Sequence, residues 1–281
     1  MNNALELHEL TKRYGDFCLD GVSLALPRGC IMGLLGENGA GKSTTIKLIL
    51  DLISSDAGTV AVLGQDVRGA GKEWKEDVGV ALDESCFPDN LKLSDVDHIM
   101  RNIYHRWDSG IFMEYARRFS LPEGKTIKEY SHGMQMKLTI AVALSHDAKL
   151  LILDEATGGL DPMARDELLD IFREYVMDEE RSILLSSHIT SDLEKICDYV
   201  TLIHRGKILF TKEKDELLHR YGILKCSTAQ YEGVPREAVI GSRRSEFGVV
   251  ALVDRETYQG NELVERAGLE DIMLYHIKEG E

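Results

Sequence analysis

The sequence predicts an α/β fold in which a mainly parallel β-sheet is covered by helices. Three short apolar segments have the composition of buried strands: CIMGLLG, KLLILDE and SILLSS. Between the first two, residues 70–145 mostly show helical spacing, which predicts a helical subdomain inserted into the sheet domain. After Gly222, the strand-like ILKCST and GVVALVD precede the helix-like LEDIMLYHIK. We therefore expect a large domain over residues 1–222 and a small α+β C-terminal domain over residues 223–281.

Composition limits the classes of function. The 281 residues are 43% hydrophobic and carry a formal net charge of -15, which argues against a nucleic-acid partner because nucleic-acid backbones are bound by clustered Lys and Arg. No signal-peptide pattern is seen and no apolar run approaches about 18 residues, so we expect a soluble, cytoplasmic chain that contacts a membrane only through a partner. The cysteines form no CxxC pair, which predicts neither a disulfide framework nor a zinc site. They are Cys18, Cys30, Cys86, Cys197 and Cys226.

The segment GENGAGKST, residues 36–44, fits the phosphate-binding pattern GxxxxGK[ST] between an apolar strand and a helix. Its glycines let the backbone N–H groups curl toward phosphates, and the helix N-terminus adds positive potential. Lys42 is placed to reach the β- and γ-phosphates, and the Ser43 hydroxyl to ligate Mg²⁺. Taken alone, the segment is also compatible with a glycine-rich turn that caps a helix. The predicted nucleotide-binding residues are Gly36, Asn38, Gly39, Gly41, Lys42, Ser43 and Thr44.

Two later strands end in side chains suited to phosphoryl transfer. KLLILDE ends in Asp154, a candidate Mg²⁺ ligand, and Glu155, a candidate base that orients or deprotonates the attacking water. SILLSSH places His188 at the carboxyl end of another strand, the edge where open α/β sheets bind ligands. Glu155, His188 and Lys42 form the predicted catalytic set, and Asp154 belongs to the predicted metal ligands. An acidic strand end and a single histidine are also compatible with a purely structural role.

The segment EYSHGMQMKL, residues 129–138, presents a second serine-glycine turn before a helix. The Ser131 hydroxyl and the Gly133 backbone N–H have the chemistry of a γ-phosphate contact. Taken alone, the segment is more typical of an N-cap serine on an ordinary helix.

Tyr14, GENGAGKST, YSHGM, LLILDEATGGLDP and SSH occur in this order over about residues 4–215. This set resembles the nucleotide-binding subunit of a bacterial ATP-binding-cassette (ABC) transporter. The resemblance implies a P-loop NTPase sheet core with an inserted helical subdomain, with ATP and Mg²⁺ as cofactors. It also implies a homodimer or heterodimer in which Ser131 and Gly133 of one subunit close over the ATP held by the other.

The resemblance assigns further roles. Tyr14 matches the aromatic residue that stacks on adenine, and Asp161 matches the loop that couples the two sites. Asp83 falls where the family usually has a Mg²⁺-binding glutamine, with Glu84 next, and a carboxylate there remains an oxygen ligand. Each also has a structural alternative: a packing tyrosine, a helix N-cap beside Pro162, and a solvated acidic turn.

YSHGM, residues 130–134, corresponds to the family's signature motif, which usually reads LSGGQ. His132 stands where glycine is common, and the sequence does not indicate how this replacement changes the rate of turnover. The segment FPDNLKLSDV follows Asp83, in the region where a permease docks in this family.

These observations predict an ATP-hydrolysing subunit, peripheral on the inner face of the membrane, that powers a separate integral permease through nucleotide-driven dimer closure. The pattern is most similar to cassettes that export peptides, antibiotics or similar small molecules. One alternative is a soluble ABC-type ATPase that acts on ribosomes or nucleic acid. Another is a nucleotide-gated switch without turnover, against which Glu155 argues.

Overall fold

The computed structural model describes residues 3–69, 71–83, 87–260 and 262–279. Its strands are β1 (Asn3–Tyr14), β2 (Phe17–Pro27), β3 (Ile31–Leu35), β4 (Ala57–Val62), β5 (Gln65–Asp66), β6 (Val78–Ala81), β7 (Leu150–Asp154), β8 (Ser182–Ser187), β9 (Tyr199–His204), β10 (Lys207–Glu213), β11 (Tyr221–Cys226), β12 (Val239–Ser245), β13 (Gly248–Asp254) and β14 (Val264–Arg266). Its α-helices are α1 (Lys42–Ile49), α2 (Leu93–Ile103), α3 (Ser109–Arg118), α4 (His132–Leu144), α5 (Pro162–Tyr175), α6 (Thr190–Ile196), α7 (Lys214–Arg220), α8 (Thr228–Tyr231) and α9 (Leu269–Glu279).

A six-stranded sheet with the order β10-β9-β3-β8-β7-β6 forms the centre of the molecule. Four of its five neighbouring pairs are parallel, and the pair of β10 with β9 is antiparallel. Strands β3, β7 and β8 are buried along their whole length, as expected for apolar strands covered on both faces. The α/β fold class predicted from the sequence is confirmed by this mainly parallel sheet with its helices.

The section predicted to be helical, residues 70–145, contains α2, α3 and α4 but also a strand. Strand β6 pairs with β7 at the edge of the central sheet, so this part of the section belongs to the sheet. The four residues VGVA are too short to produce a periodic signal. Helix α4 packs against β6 and buries eight of its residues, which joins the helices to the sheet.

A four-stranded antiparallel sheet, β2-β1-β4-β5, packs against helix α1. This helix begins within the phosphate-binding loop at residues 36–44, hereafter the P-loop. Leu5, Leu7 and Leu26 from this sheet share an apolar cluster with Ile46 and Ile49 of α1. Helix α1 ends at Ile49.

The C-terminal sheet has the order β12-β13-β11-β14 and is antiparallel throughout. Strand β11 extends across the predicted domain boundary at residues 222 and 223. Leu269 and Tyr275 of α9 belong to the same apolar cluster as Leu193 of α6, so the core continues across that boundary. The division into two domains stays a prediction. Among the described residues, no helix has the length and apolarity needed to cross a bilayer.

Candidate functional site

The P-loop forms a tight turn between β3 and α1 that only glycine permits at its crowded positions. A Cβ at Gly36 would lie 2.4 Å from the Ile203 carbonyl oxygen of β9. Gly39 and Gly41 have φ angles of 82° and 116°, in the region that favours glycine. This conformation leaves the first backbone N–H groups of α1 pointing into the cavity in front of the loop, which suits a bound anion.

Lys42 is the first residue of α1 and is nearly buried, with 6% of its side chain exposed. Its Nζ donates to the Gly36 carbonyl at 2.8 Å and lies 3.3 Å from Glu155 Oε1. The loop therefore holds its ammonium group at the floor of the cavity, paired with a carboxylate. A phosphate that enters the cavity competes with Glu155 for this cation.

The strand end at Asp154 and Glu155 is held by β8. Ser186 donates its hydroxyl to Asp154, and the Glu155 backbone N–H donates to the Ser186 carbonyl at 3.1 Å. Glu155 has a φ of 51°, an uncommon conformation for a residue with a side chain, and such outliers cluster at functional sites. This turn directs its carboxylate away from the sheet and toward the P-loop.

His188 completes a three-residue arrangement around Glu155. Its Nδ1 lies 2.7 Å from Glu155 Oε2, while the other carboxylate oxygen contacts Lys42. The structure thus brings together all three predicted catalytic residues. The His188 side chain is 54% exposed, so it can rotate from Glu155 toward a phosphate in the cavity.

The cavity in front of the P-loop has a volume of about 610 Å³ and includes most of the predicted nucleotide-binding residues. Gly36 and Tyr14, both predicted to bind nucleotide, are outside its described lining, whereas Phe17, which was not predicted, belongs to it. Tyr14 and Phe17 face each other across the β1–β2 turn. Tyr14 is 44% exposed, with the Lys12 ammonium 5.4 Å from its ring centre. The lining residues are Phe17, Glu37, Asn38, Gly39, Gly41, Lys42, Ser43, Thr44, Asp83 and Glu155.

The residues predicted to hold Mg²⁺ divide into two groups. Ser43 and Asp83 line the cavity, whereas Asp154 is 5% exposed and lies outside the described lining, hydrogen-bonded to Ser186. Mg²⁺ usually takes one or two protein oxygens and completes its shell with waters and phosphate oxygens. The hydroxyl of Ser43 and the carboxylate of Asp83 fit that chemistry. Within the described residues, no cluster of three or more His, Cys, Asp or Glu forms an all-protein metal site. Glu84 lies outside the described residues.

Ser131, His132 and Gly133 form the signature turn, and none of them belongs to the described lining of the P-loop cavity. Ser131 is exposed and caps α4, with its hydroxyl accepting a hydrogen bond from the Met134 backbone N–H at 3.3 Å. Neither Ser131 nor Gly133 belongs to the described cavity lining. Between them, His132 Nε2 lies 3.6 Å from Asp83 Oδ1, an exposed pair that links the signature turn to the cavity rim.

Asp161 is the N-cap of α5 and stands next to the signature turn. Its carboxylate accepts hydrogen bonds from the backbone N–H groups of Ala164 and Met163, which hold the pKa of this carboxyl below its usual range. The neighbouring Leu160 and Gly159 contact Gly133, since a Cβ on Gly133 would lie 3.2 Å from Leu160 Cδ2. The loop before Asp161 therefore packs against the signature turn, as a coupling loop would.

One histidine contact behind the P-loop was not predicted. His204, 8% exposed at the end of β9, places Nδ1 3.6 Å from Glu37 Oε2. Within the described part of the chain, its buried Nε2 has no hydrogen-bond partner. The sequence signal that could have indicated this residue is its place at a strand's carboxyl end, as for His188. Its contact with Glu37 joins the end of β9 to the P-loop.

The geometry agrees with comparisons to known proteins. Residues 19–158 match the ABC transporter family model. The ABC transporter ATP-binding protein YtrB of Bacillus subtilis is 31% identical over 77% of this chain and 74% of its own length. The chain belongs to the ABC transporter family. As a member, it is an ATP-binding and ATP-hydrolysing subunit.

Further relatives and solved structures are consistent with this membership. The lantibiotic transport ATP-binding protein SrtF of Streptococcus pyogenes is 33% identical and covers 75% of this chain and 91% of its own. The Nod factor export ATP-binding protein I of Burkholderia orbicola is 34% identical over 90% of this chain and 84% of its own. A solved ATP-binding subunit of an ABC transporter superposes with a TM-score of 0.70 at 26% identity, covering 77% of this chain and 92% of its own.

Proposed function

We propose that this subunit powers a separate integral membrane permease that exports a peptide, antibiotic or similar small molecule, with ATP-driven closure of a dimer as the coupling step. The observation that carries the proposal is the arrangement around Glu155. Its two carboxylate oxygens contact Lys42 and His188, so base, phosphate-binding cation and γ-phosphate contact converge on one cavity. A binding module without turnover has no need of a base at this point.

In the proposed reaction, the γ-phosphate displaces Glu155 from Lys42 and takes up the Lys42 ammonium and the P-loop N–H groups. The freed Glu155 carboxylate accepts a proton from the attacking water, whose oxygen bonds to the γ-phosphorus as the bond to the β-γ bridging oxygen breaks. His188 turns from Glu155 toward the γ-phosphate oxygens. Ser43 and Asp83 would hold Mg²⁺, with Asp154 oriented behind them by Ser186, and the ion would neutralise charge that develops on the phosphates.

The position of the signature turn supports a dimer. Ser131 and Gly133 are outside the described lining of their own chain's cavity, and Ser131 is exposed. Their hydroxyl and backbone N–H are therefore available to the nucleotide of a second subunit, either another copy or a close relative. On this arrangement, ATP supplies the contacts that favour the closed dimer, and release of products returns the open state.

An apolar groove beside Asp83 provides the docking surface for the permease. Leu52, 56% exposed, lies at one wall, and Leu82 precedes Asp83 in the chain. A helix from an integral protein could fill this cavity of about 250 Å³ with apolar side chains while touching the loop that senses nucleotide. The lining residues are Leu50, Leu52, Trp74, Lys75, Val78, Val80, Leu82 and Tyr104.

Names of relatives support the class of cargo. SrtF is named for lantibiotic transport, and BcrA of Bacillus licheniformis, 33% identical over 78% of this chain and 73% of its own, for bacitracin transport. The alternative function on ribosomes or nucleic acid is not favoured, since these relatives are transport subunits and the net charge is -15. The subunit would then lie peripherally on the inner face of the membrane.

Mixing two inactive variants tests the composite site. Lys42→Ala loses its own P-loop site and Ser131→Ala loses the contact to the other subunit's nucleotide, so a mixed dimer retains one intact site. If copies pair at random, an equal mixture of the two recovers about a quarter of wild-type turnover. Ser227→Ala is the matched control, because Ser227 caps α8 with the same 3.3 Å contact to a backbone N–H, away from the cavity. Turnover that is independent of dilution and of Ser131 would refute the dimer.

A second experiment tests the permease. Tagged chain is used to isolate bound integral proteins from detergent-solubilised membranes, with Leu52→Asp compared to Met177→Asp. Both side chains are exposed, but Met177, 81% exposed after the end of α5, is outside the groove. We expect Leu52→Asp alone to lose an integral membrane protein. Equal recovery by all three chains, or recovery of ribosomal proteins instead, would contradict the docking surface.

A further inference from the structure

The C-terminal sheet contains a cavity that plays no part in the ATP site. It has a volume of about 470 Å³ and lies between α8, the segment that follows it and strand β12. Two valines and a tyrosine form its apolar part, and two arginines and a glutamate its polar part. The lining residues are Tyr231, Glu232, Val234, Arg236, Val239 and Arg244.

The apolar part of the cavity is firmly supported. Tyr231, Val234 and Val239 pack against a small buried cluster of Leu224, Ala251 and Val253 at the centre of the C-terminal sheet. The Tyr231 hydroxyl also bonds to the Ser242 hydroxyl at 2.9 Å, which fixes the ring against β12. This wall therefore keeps its shape without a ligand, and a preformed wall reduces the entropy lost on binding.

Among the residues that the structure describes, the two arginines have no carboxylate partner. In the described part of the chain, neither Arg236 nor Arg244 forms an ion pair, although acidic residues outnumber basic ones by 48 to 33. Nearby, Arg220 at the end of α7 pairs with Asp254 at 2.8 Å, and Lys225 of β11 pairs with Glu265 at 2.6 Å. The lining of the cavity carries two guanidinium groups and one carboxylate, and this excess of positive charge attracts anions.

The position of Arg244 adds geometry to this charge. Its guanidinium carbon lies 5.7 Å from the centre of the Tyr231 ring, and Ser242, two residues earlier on β12, bonds to the same tyrosine. Residues two apart on a strand share a face, so this face of β12 points into the cavity. The ring keeps the planar group near the apolar wall, where its N–H fork can meet an oxyanion in two parallel hydrogen bonds.

We propose that this cavity is a binding site for a small organic anion, in which Arg236 and Arg244 bind a carboxylate, sulfonate or phosphate and the apolar wall receives its ring. Glu232 also lines the cavity and its negative charge opposes anion binding, so contacts with the apolar wall must add to the affinity. Arg243 lies between Ser242 and Arg244 on β12, so its side chain is on the opposite face of the strand, toward Tyr275 of α9. Burial raises the pKa of the Tyr275 phenol, and the nearby Arg243 charge opposes that rise. Arg243 is therefore a matched control with the same charge on the same strand.

The test uses 8-anilinonaphthalene-1-sulfonate, whose fluorescence rises on binding, with the full-length chain and without nucleotide. We expect Arg236→Gln and Arg244→Gln each to weaken the probe's affinity about tenfold, since a hydrogen bond to a charged group is lost, and Arg243→Gln to leave it unchanged. Phenyl phosphate should displace the probe, whereas phenol should not. Binding at the P-loop or the Leu52 groove would be the same in all three variants, so equal affinities throughout would overturn the proposal.

Chemical labelling gives a second measurement that does not depend on variants. Phenylglyoxal modifies exposed guanidinium groups, and peptide mass spectrometry locates the modified residues. We expect phenyl phosphate to protect Arg236 and Arg244 and to leave Arg243 reactive. Equal labelling of all three residues with and without phenyl phosphate would overturn the proposal. For the fluorescence test, far-UV circular dichroism checks that each arginine variant is folded.

Discussion

Replacement of Glu155 by glutamine separates ATP binding from ATP hydrolysis more cleanly than any other single change. The amide keeps the size of the side chain and a contact to His188 but cannot accept the proton of water. A positioned general base contributes about 100-fold to 10,000-fold in rate, so the barrier to hydrolysis should rise by about 3–5 kcal/mol.

The same substitution should not weaken ATP binding. Lys42 Nζ and Glu155 Oε1 are 3.3 Å apart, which at an effective dielectric constant of about 20 corresponds to an attraction of about 5 kcal/mol before desolvation is subtracted. The incoming phosphate must displace this contact. In the amide variant the competing charge is gone, so the dissociation constant for ATP should stay the same or decrease.

Two assays are required: phosphate release at saturating ATP, and equilibrium titration with a fluorescent ATP analogue. Glu37→Gln is the matched control, because Glu37 also lines the cavity but pairs with His204 rather than Lys42, so turnover should fall far less. If Glu155→Gln hydrolyses ATP at the wild-type rate, the assignment of the base is wrong. If it binds ATP tenfold more weakly, the role of the Lys42 contact is wrong.

Three further predictions concern the framework of the site. Gly36→Ala should abolish ATP binding and lower the melting temperature, because its Cβ would lie 2.4 Å from a backbone oxygen. In the control Gly39→Ala the Cβ meets open space, so the free energy of unfolding should fall by only about 1 kcal/mol because of the left-handed backbone. Tyr175→Phe should lower the free energy of unfolding by about 1 kcal/mol in urea denaturation, since it removes a buried 2.7 Å hydrogen bond to the Ala148 carbonyl; an unchanged urea midpoint would contradict this. Burial lowers the pKa of His146 below its ordinary value. As the pH falls through about 6.5, this histidine is therefore protonated in the unfolded chain before it is protonated in the folded one. The free energy of unfolding should then fall by up to about 1.4 kcal/mol per pH unit. This slope should flatten in His146→Gln and persist in the exposed control His105→Gln, and equal slopes would exclude His146 as its source.

The sequence was most informative where chemistry restricts the choice of residue. Only glycine tolerates the turn at Gly36, and only a strand end can place Asp154 and Glu155 beside the P-loop, so these positions were predictable. Strand β6 was not, because its four residues carry no periodicity and its place in the sheet depends on β7. The role of a residue at the cavity also depends on how the chain folds around it.

The aromatic wall of the cavity shows this dependence. Tyr14 and Phe17 are opposite each other across a two-residue turn, so both are equally plausible from the sequence. The packing of β1 and β2 over α1 places Phe17 in the cavity lining, and the role of Tyr14 stays a prediction. The Glu37–His204 contact was missed for a similar reason, since it joins residues 167 positions apart through the order of strands in the sheet.

The way α9 is attached extends the influence of the ATP site to the end of the chain. The Leu269 backbone N–H at the start of α9 donates to the Glu194 carboxylate of α6, the helix that begins two residues after His188. Leu193 and Ile196 of α6 share their apolar surroundings with Leu269 and Ile272. A chain shortened at residue 222 would expose the apolar side of α6 to water. The segment that carries His188 would then be less rigidly held, and so would its imidazole.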